Sequence, residues 1–434
     1  MPEHTFYRRL VPVACLGLVA ALPACSTTPT ARRPTFVAPA AEAAHAQHDA
    51  GLAATPESPA DQALRLQSLL GQHSVLAAEF MRGRIRGDDD FAQAANAALS
   101  KNTDAMTQLV GQMFGPAAAK GFEPKWAAHV VSLFAYARGL ADQDKGEQAD
   151  ARKDLIGYEE QLAGFFAGAS QGRLPIKVAN QAVRMHVDHL LMQADAYAAG
   201  DYTKADRVYR ESYEHTYDLG AAISGALLPP NQAKTLQSPV WRLRSQLDKL
   251  LAEHVVLVQD ATRAAVSNAP DFAAAGQDVN GNTRDLAAAV DTLFGAPAAK
   301  QFQSLWANHV DQLIAYAGAA AAHNTARQDQ ARAALRDFEN RMATLLGAAT
   351  GKRLGNAALA AALAAHDQML MRHADAYAAK DYGTAHDIAY QTYEHMFELA
   401  RQLANAFGST VAARLPAGAP QTGYGGMADI VEHR

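Results

Sequence analysis

Four histidines, His73, His129, His186 and His215, recur 180 or 181 residues later as His254, His309, His366 and His395. Each sits among apolar residues at helical spacing. His73 lies between Leu70 and Leu76, His129 between Trp126 and Leu133, and His186 between Val183 and Leu190; His215 precedes Leu219. An imidazole on an apolar face is costly unless it is hydrogen-bonded or bound to metal. Neutral imidazoles from several helices, with a carboxylate nearby, form the ligand set of zinc, copper and iron sites. The pattern therefore predicts one transition-metal site (Cu, Zn or Fe) in each half of the chain, built on these eight histidines.

Distance from a turn gives height along a helix, at about 1.5 Å per residue. His186 stands 14 residues before Gly200 and His215 stands 14 after Asp201, which sets the two level in an antiparallel pair. The same test places Asn102 level with His73 and Glu159 level with His129, and both return as Asn282 and Glu339. These four are candidate additional ligands. A hydrogen-bonded polar layer that fixes helix register would use the same residues with no ligand at all. An anion or small-ligand pocket, or a His-rich redox or oxygen-handling centre, is also compatible with them.

Other shared residues read more plainly. Trp126/Trp306, Tyr136/Tyr316 and Tyr197/Tyr377 suit packing, and Asp195/Asp375 suit the turn after their helix. Arg173/Arg353 suit charge compensation at a helix C-terminus. His189 and His373 have no histidine counterpart. No nucleophile elbow, phosphate loop, dinucleotide fingerprint or His-Glu-x-x-His is present, so the leading reading is not an enzyme. The shared histidines lack the Glu-x-x-His pairing of di-iron carboxylate bundles, although a hemerythrin-like, His-rich centre does not require it.

The elements that position these residues are helices, duplicated. Lys125-Trp-Ala-Ala-His-Val130 returns as Leu305-Trp-Ala-Asn-His-Val310, Asp195-Ala-Tyr-Ala-Ala-Gly-Asp-Tyr202 as Asp375-Ala-Tyr-Ala-Ala-Lys-Asp-Tyr382, and Tyr213-Glu-His215 as Tyr393-Glu-His395. A repeat this long predicts two domains. The fold class is all-α, two tandem repeats of a roughly six-helix antiparallel bundle, at 61–228 and 241–408, joined by a linker at 229–240. In the first repeat, apolar steps of three and four residues predict helices at 61–86, 89–114, 117–141, 147–169, 175–199 and 202–227. Asp201 and Asp381 read as N-caps of the sixth helix.

At the N-terminus, Arg8-Arg9 precede an apolar run from Leu10 to Leu22, too short to span a bilayer and laid out as a secretory leader. Leu22-Pro-Ala-Cys25-Ser26 resembles the lipobox of bacterial lipoproteins. The resemblance implies a leader at 1–24, lipid on Cys25, and attachment outside the cytoplasm, to the outer membrane where the host has two. Residues 25–60, rich in Ala, Thr and Pro and carrying His45 and His48, read as a flexible tether, and 409–434 as a disordered tail. Cys15 and Cys25 are the chain's two cysteines, so a processed chain holds no disulfide and depends on helix packing. Net charge is −5 over 434 residues with no basic tract, which argues against nucleic acid; the expected partner is the membrane, through the lipid. Protein partners are not indicated.

The Trp-x-x-His, Asp-Ala-Tyr-Ala-Ala-x-Asp-Tyr and Tyr-Glu-His blocks are similar to helical repeats of uncharacterised secreted bacterial proteins, some labelled copper amine oxidase. The resemblance implies a secreted helical protein. That enzyme's chemistry has no counterpart among these residues.

Overall fold

The computed structural model describes residues 57–414, with side chains described to 410. The leader, Cys25 and its lipobox, and the tether as far as residue 56, with His45 and His48, lie outside the described residues, as does 415–434. The described residues are all helical in class: thirteen α-helices, one 3-10 turn and no strand. In chain order these are α1 Pro59–Arg86, α2 Asp89–Phe114, α3 Pro116–Ala141, α4 Lys145–Ala169, α5 Ile176–Ala198 and α6 Tyr202–Leu227. After α7 Pro230–Ala233 and a 3-10 turn at Lys234–Gln237 come α8 Pro239–Ser267, α9 Phe272–Phe294, α10 Ala296–Ala321, α11 Thr325–Ala349, α12 Asn356–Ala378 and α13 Tyr382–Arg414. No helix among them is long and apolar enough to cross a membrane.

Local chemistry sets the ends. Ser58 and Ser238 cap α1 and α8, each with proline as the first helical residue, and left-handed Gly87 and Asn268 close them. Asp201 accepts from the Lys204 N–H at 3.2 Å and Asp381 from Thr384 at 3.1 Å, as expected of N-caps. Boundaries differ by one or two residues at several helix ends, and by more at the linker and the C-terminus. Helix α1 starts at Pro59 rather than Asp61, the expected linker is largely helical, and α13 runs six residues past 408, so the stretch 409–414 is helix and not disordered tail.

Two helices do not behave as ordinary amphipathic elements. Helix α1 is buried continuously from Leu66 to Ala78, and α8 from Leu250 to Ala264. Helix α1 packs against α2, α3, α5 and α6, and α8 packs against α9, α10, α12 and α13. Helix α4 packs on α3 and α5, and α11 on α10 and α12. The polar residues of the continuously buried stretch of α1 are uncharged, and several find internal partners: Gln67 Nε2 donates to the Tyr217 carbonyl at 3.2 Å, and Thr216 Oγ1 to Ser74 Oγ at 3.2 Å. Those bonds offset part of the cost of burial on all sides, although Ser68 Oγ and His73 Nδ1 of α1 have no hydrogen-bond partner.

Residues of both halves share one continuous apolar core. Helix α1 touches α8, α6 packs on α9, and α2 on α13. Buried ion pairs cross between the halves. Arg82, paired with Asp206 of its own half at 2.8 Å, reaches Asp260 of the other at 3.7 Å, and Arg210 on α6 grips Glu253 on α8 through two bonds of 2.9 and 3.1 Å.

Candidate metal centre

The central helices bring His73 and His254 into the middle of the fold. Helices α3 and α10 supply His129 and His309; α5 and α12 supply His186 and His366. In each group one ring nitrogen per residue lies within 4.8 Å of the other two, and all six rings are buried. In the first group, His73 Nε2 and His129 Nε2 are hydrogen-bonded to each other at 3.0 Å. Two imidazoles on one tetrahedral ion, with bonds of about 2.0–2.1 Å, hold their nitrogens roughly 3.3 Å apart. The pair is close to that spacing without rearrangement.

The neighbourhood fixes which nitrogen is free. His129 Nδ1 bonds the Trp126 carbonyl one turn back, and His309 Nδ1 bonds the Trp306 carbonyl at 2.8 Å. A carbonyl only accepts, so Nδ1 carries the proton and Nε2 presents its lone pair to the cluster. His186 and His366 have both nitrogens buried without a hydrogen-bond partner, and so does Nε2 of His254 and of His309. Such orphans are costly in a packed interior and call for a ligand, an ion or a water. Tyr158 stacks on His129 with centroids 4.4 Å apart, and Phe338 covers His309 at the same distance.

Burial also selects the protonation state. It holds His73, His186, His254 and His366 well below the ordinary imidazole range, reinforced by neighbouring histidines. Burial lowers His129 to about 3 and His309 to about 4, against the pull of their carbonyl bonds. All six are neutral near pH 7, the form that ligates metal.

The other candidates are placed elsewhere. His215 and His395 are half-buried, and their Nε2 atoms bond the Ala182 and Ala362 carbonyls at 3.0 and 3.3 Å. Neither joins the cluster of three in its half. Ala182 is one turn from His186, so His215 lies at its level, but α6 and α13 present the two rings beside α5 and α12. Asn102 and Asn282 lie at the expected level, but they tie α2 to α1 and α9 to α8. Their Nδ2 atoms donate to Leu69 O and Gln72 Oε1, and to Leu250 O and Glu253 Oε2. At α4 the ring on His129 is that of Tyr158, not the carboxylate of Glu159 one residue on. Burial, with Asp188 nearby, pushes Glu159 up to about 7; burial likewise raises Glu339.

Two residues beyond the expected set belong to the site. Trp306 Nε1 donates to His254 Nδ1 at 3.2 Å. Asp367, fully buried, stands 3.8 Å from His309 Nε2, and neither carboxylate oxygen has a hydrogen-bond partner. Burial and the charge of Glu339 push Asp367 well above the usual carboxylate range. Its counterpart is Val187, so attention to positions shared between repeats passes over it.

Outside the clusters, Asp195 does not serve the turn. It accepts from Tyr136 Oη at 2.7 Å while Arg152 donates to the same hydroxyl at 2.9 Å, and Tyr316, Asp375 and Arg332 repeat this clamp across α10, α11 and α12. Arg173 donates to the carbonyls of Leu227 and Leu228 at the end of α6, both at 3.0 Å, as helix-end compensation requires. Comparison with protein-family models, with curated proteins and with solved structures finds no match to this chain.

Proposed function

We propose that this chain is an envelope lipoprotein, anchored through Cys25, whose two helical repeats, each a six-helix bundle, each hold one transition-metal ion on three histidines. The carrying observation is the pair of buried triads, His73–His129–His186 and His254–His309–His366, with converging nitrogens and largely without other partners. Neutral rings and the fixed Nδ1 protons of His129 and His309 support the same reading. Both groups are closed to solvent, which suits holding a metal, for buffering or sensing, better than turning over a substrate. The leader and lipobox of the sequence support the location.

The test is metal analysis of the purified full chain after loading with zinc, cobalt or copper(I). Two equivalents are expected in the wild type, one in His186→Ala or His366→Ala, and none in the double variant. A replete wild type that retains no metal would overturn the proposal.

A second reading has one specific observation behind it. The Trp306 N–H directed at His254 Nδ1 leaves the Nε2 of a neutral His254 protonated, which suits a hydrogen-bonded layer fixing helix register. In that case the alanine variants lose stability and the wild type binds no metal.

A further inference from the structure

The two triads share their histidines and differ in the residue that follows the third. On α12 it is Asp367; on α5 it is Val187. Both side chains are buried, so neither reaches solvent. In the second repeat this places a carboxylate 3.8 Å from a ligand nitrogen, with Glu339 close enough to act on it electrostatically. The first repeat has no acid at this position, and Glu159 there feels the exposed Asp188 instead. An unpaired buried carboxylate is strongly disfavoured unless a cation or donor meets it. The helices around Asp367 offer it neither among their hydrogen bonds.

Resting on the metal reading above, we propose that the two sites take cations of different charge. The second is a three-histidine site for a divalent ion of the zinc class, with Asp367, 3.8 Å from His309 Nε2 and outside the group of three nitrogens, as the buried counter-charge beside it. The first is a neutral three-imidazole site whose low-dielectric surroundings favour a soft monovalent ion, copper(I). Charge balance is the reason: three neutral ligands leave a dication uncompensated in an apolar interior, and one carboxylate halves its charge.

Single-site chains test this. His186→Ala leaves the second site and His366→Ala the first; each is titrated with Zn(II) and, anaerobically against a chelator, with Cu(I). The ratio of zinc to copper(I) affinity is expected to be at least about tenfold higher at the second site. Adding Asp367→Asn to the His186→Ala chain is expected to weaken zinc by at least about tenfold and copper(I) by less than about threefold. Asp367→Val, which copies the first repeat, is expected to do the same, and the melting temperature of the metal-free chain should not fall in either variant. If zinc affinity at the second site is unchanged by both substitutions, this inference is overturned while the triad reading stands. If the wild type binds neither ion, both fall together.

Discussion

The hydroxyl of Tyr213 lies 3.4 Å from that of Tyr393, so the same position of the two repeats meets itself across the middle of the fold. Each ring also reaches the central helix of the other half. Tyr213 donates to the Lys249 carbonyl at 3.1 Å, and Tyr393 to the Ser68 carbonyl at 3.0 Å. The shared core and these crossed bonds predict that the halves unfold together.

Tyr213→Phe and Tyr393→Phe each remove one bond to a backbone carbonyl. Each is expected to cost about 1 kcal/mol in urea unfolding, with a single transition retained. Two separate transitions in the wild type would contradict the shared core.

Arg82 is buried with Asp206 and Asp260 beside it, and its loss strands Asp206, while Asp260 keeps Arg263 at 2.7 Å. Arg82→Met should cost about 3–5 kcal/mol. Equilibrium denaturation measures it; a cost below 1 kcal/mol, roughly that of an exposed pair, would mean the network is not desolvated as described.

Gly220 on α6 lets that helix press on α1. A methyl group there would stand 2.6 Å from Gln67 Cα and 2.8 Å from its nitrogen, and backbone cannot yield cheaply. Gly220→Ala should destabilise by about 1–3 kcal/mol. Gly164→Ala, at an open helical position, should stabilise by up to about 1 kcal/mol. The equivalent of Gly220 is Ala400, so α8 and α13 require no such approach.

His373 supplies a pH dependence independent of the triads. Burial, with His386 nearby, lowers it to about 3. The unfolded chain takes up its proton near pH 6.5 and the folded chain does not, so stability falls as pH drops below 6.5 and levels only near pH 3. The share of this one group is about 1.4 kcal/mol per pH unit. His373→Gln, which copies Gln193 of the first repeat, should flatten the slope of unfolding free energy between pH 6 and pH 5 by roughly that amount.

Trp306 separates the two readings of the second triad. Its N–H opposes a proton on His254 Nδ1, and metal on Nε2 requires that proton. Trp306→Phe should tighten zinc at the second site by a few-fold, roughly. Weaker binding with unchanged stability would show that the indole supports the ion instead.

Much of the site is legible in the sequence. Helical periodicity, capping residues and distance from turns located the helices and put the histidines at one height, because these depend on local rise and local chemistry. Periodicity says nothing about which helix becomes central. Helices α1 and α8 took that place through tertiary packing, and with α3, α5, α10 and α12 around them six histidines converged while His215 and His395 turned to carbonyls. Glu159 gave way to Tyr158 because neighbouring residues point about 100° apart around a helix, finer than a height argument can resolve. Asp367 stayed hidden because the sequence comparison kept only what the repeats share. The sequence by itself determined the all-helical class, the duplication and the level of the imidazoles. Only the tertiary structure decided which of them meet and that one site carries a carboxylate, because both depend on how whole helices rotate and pack against one another.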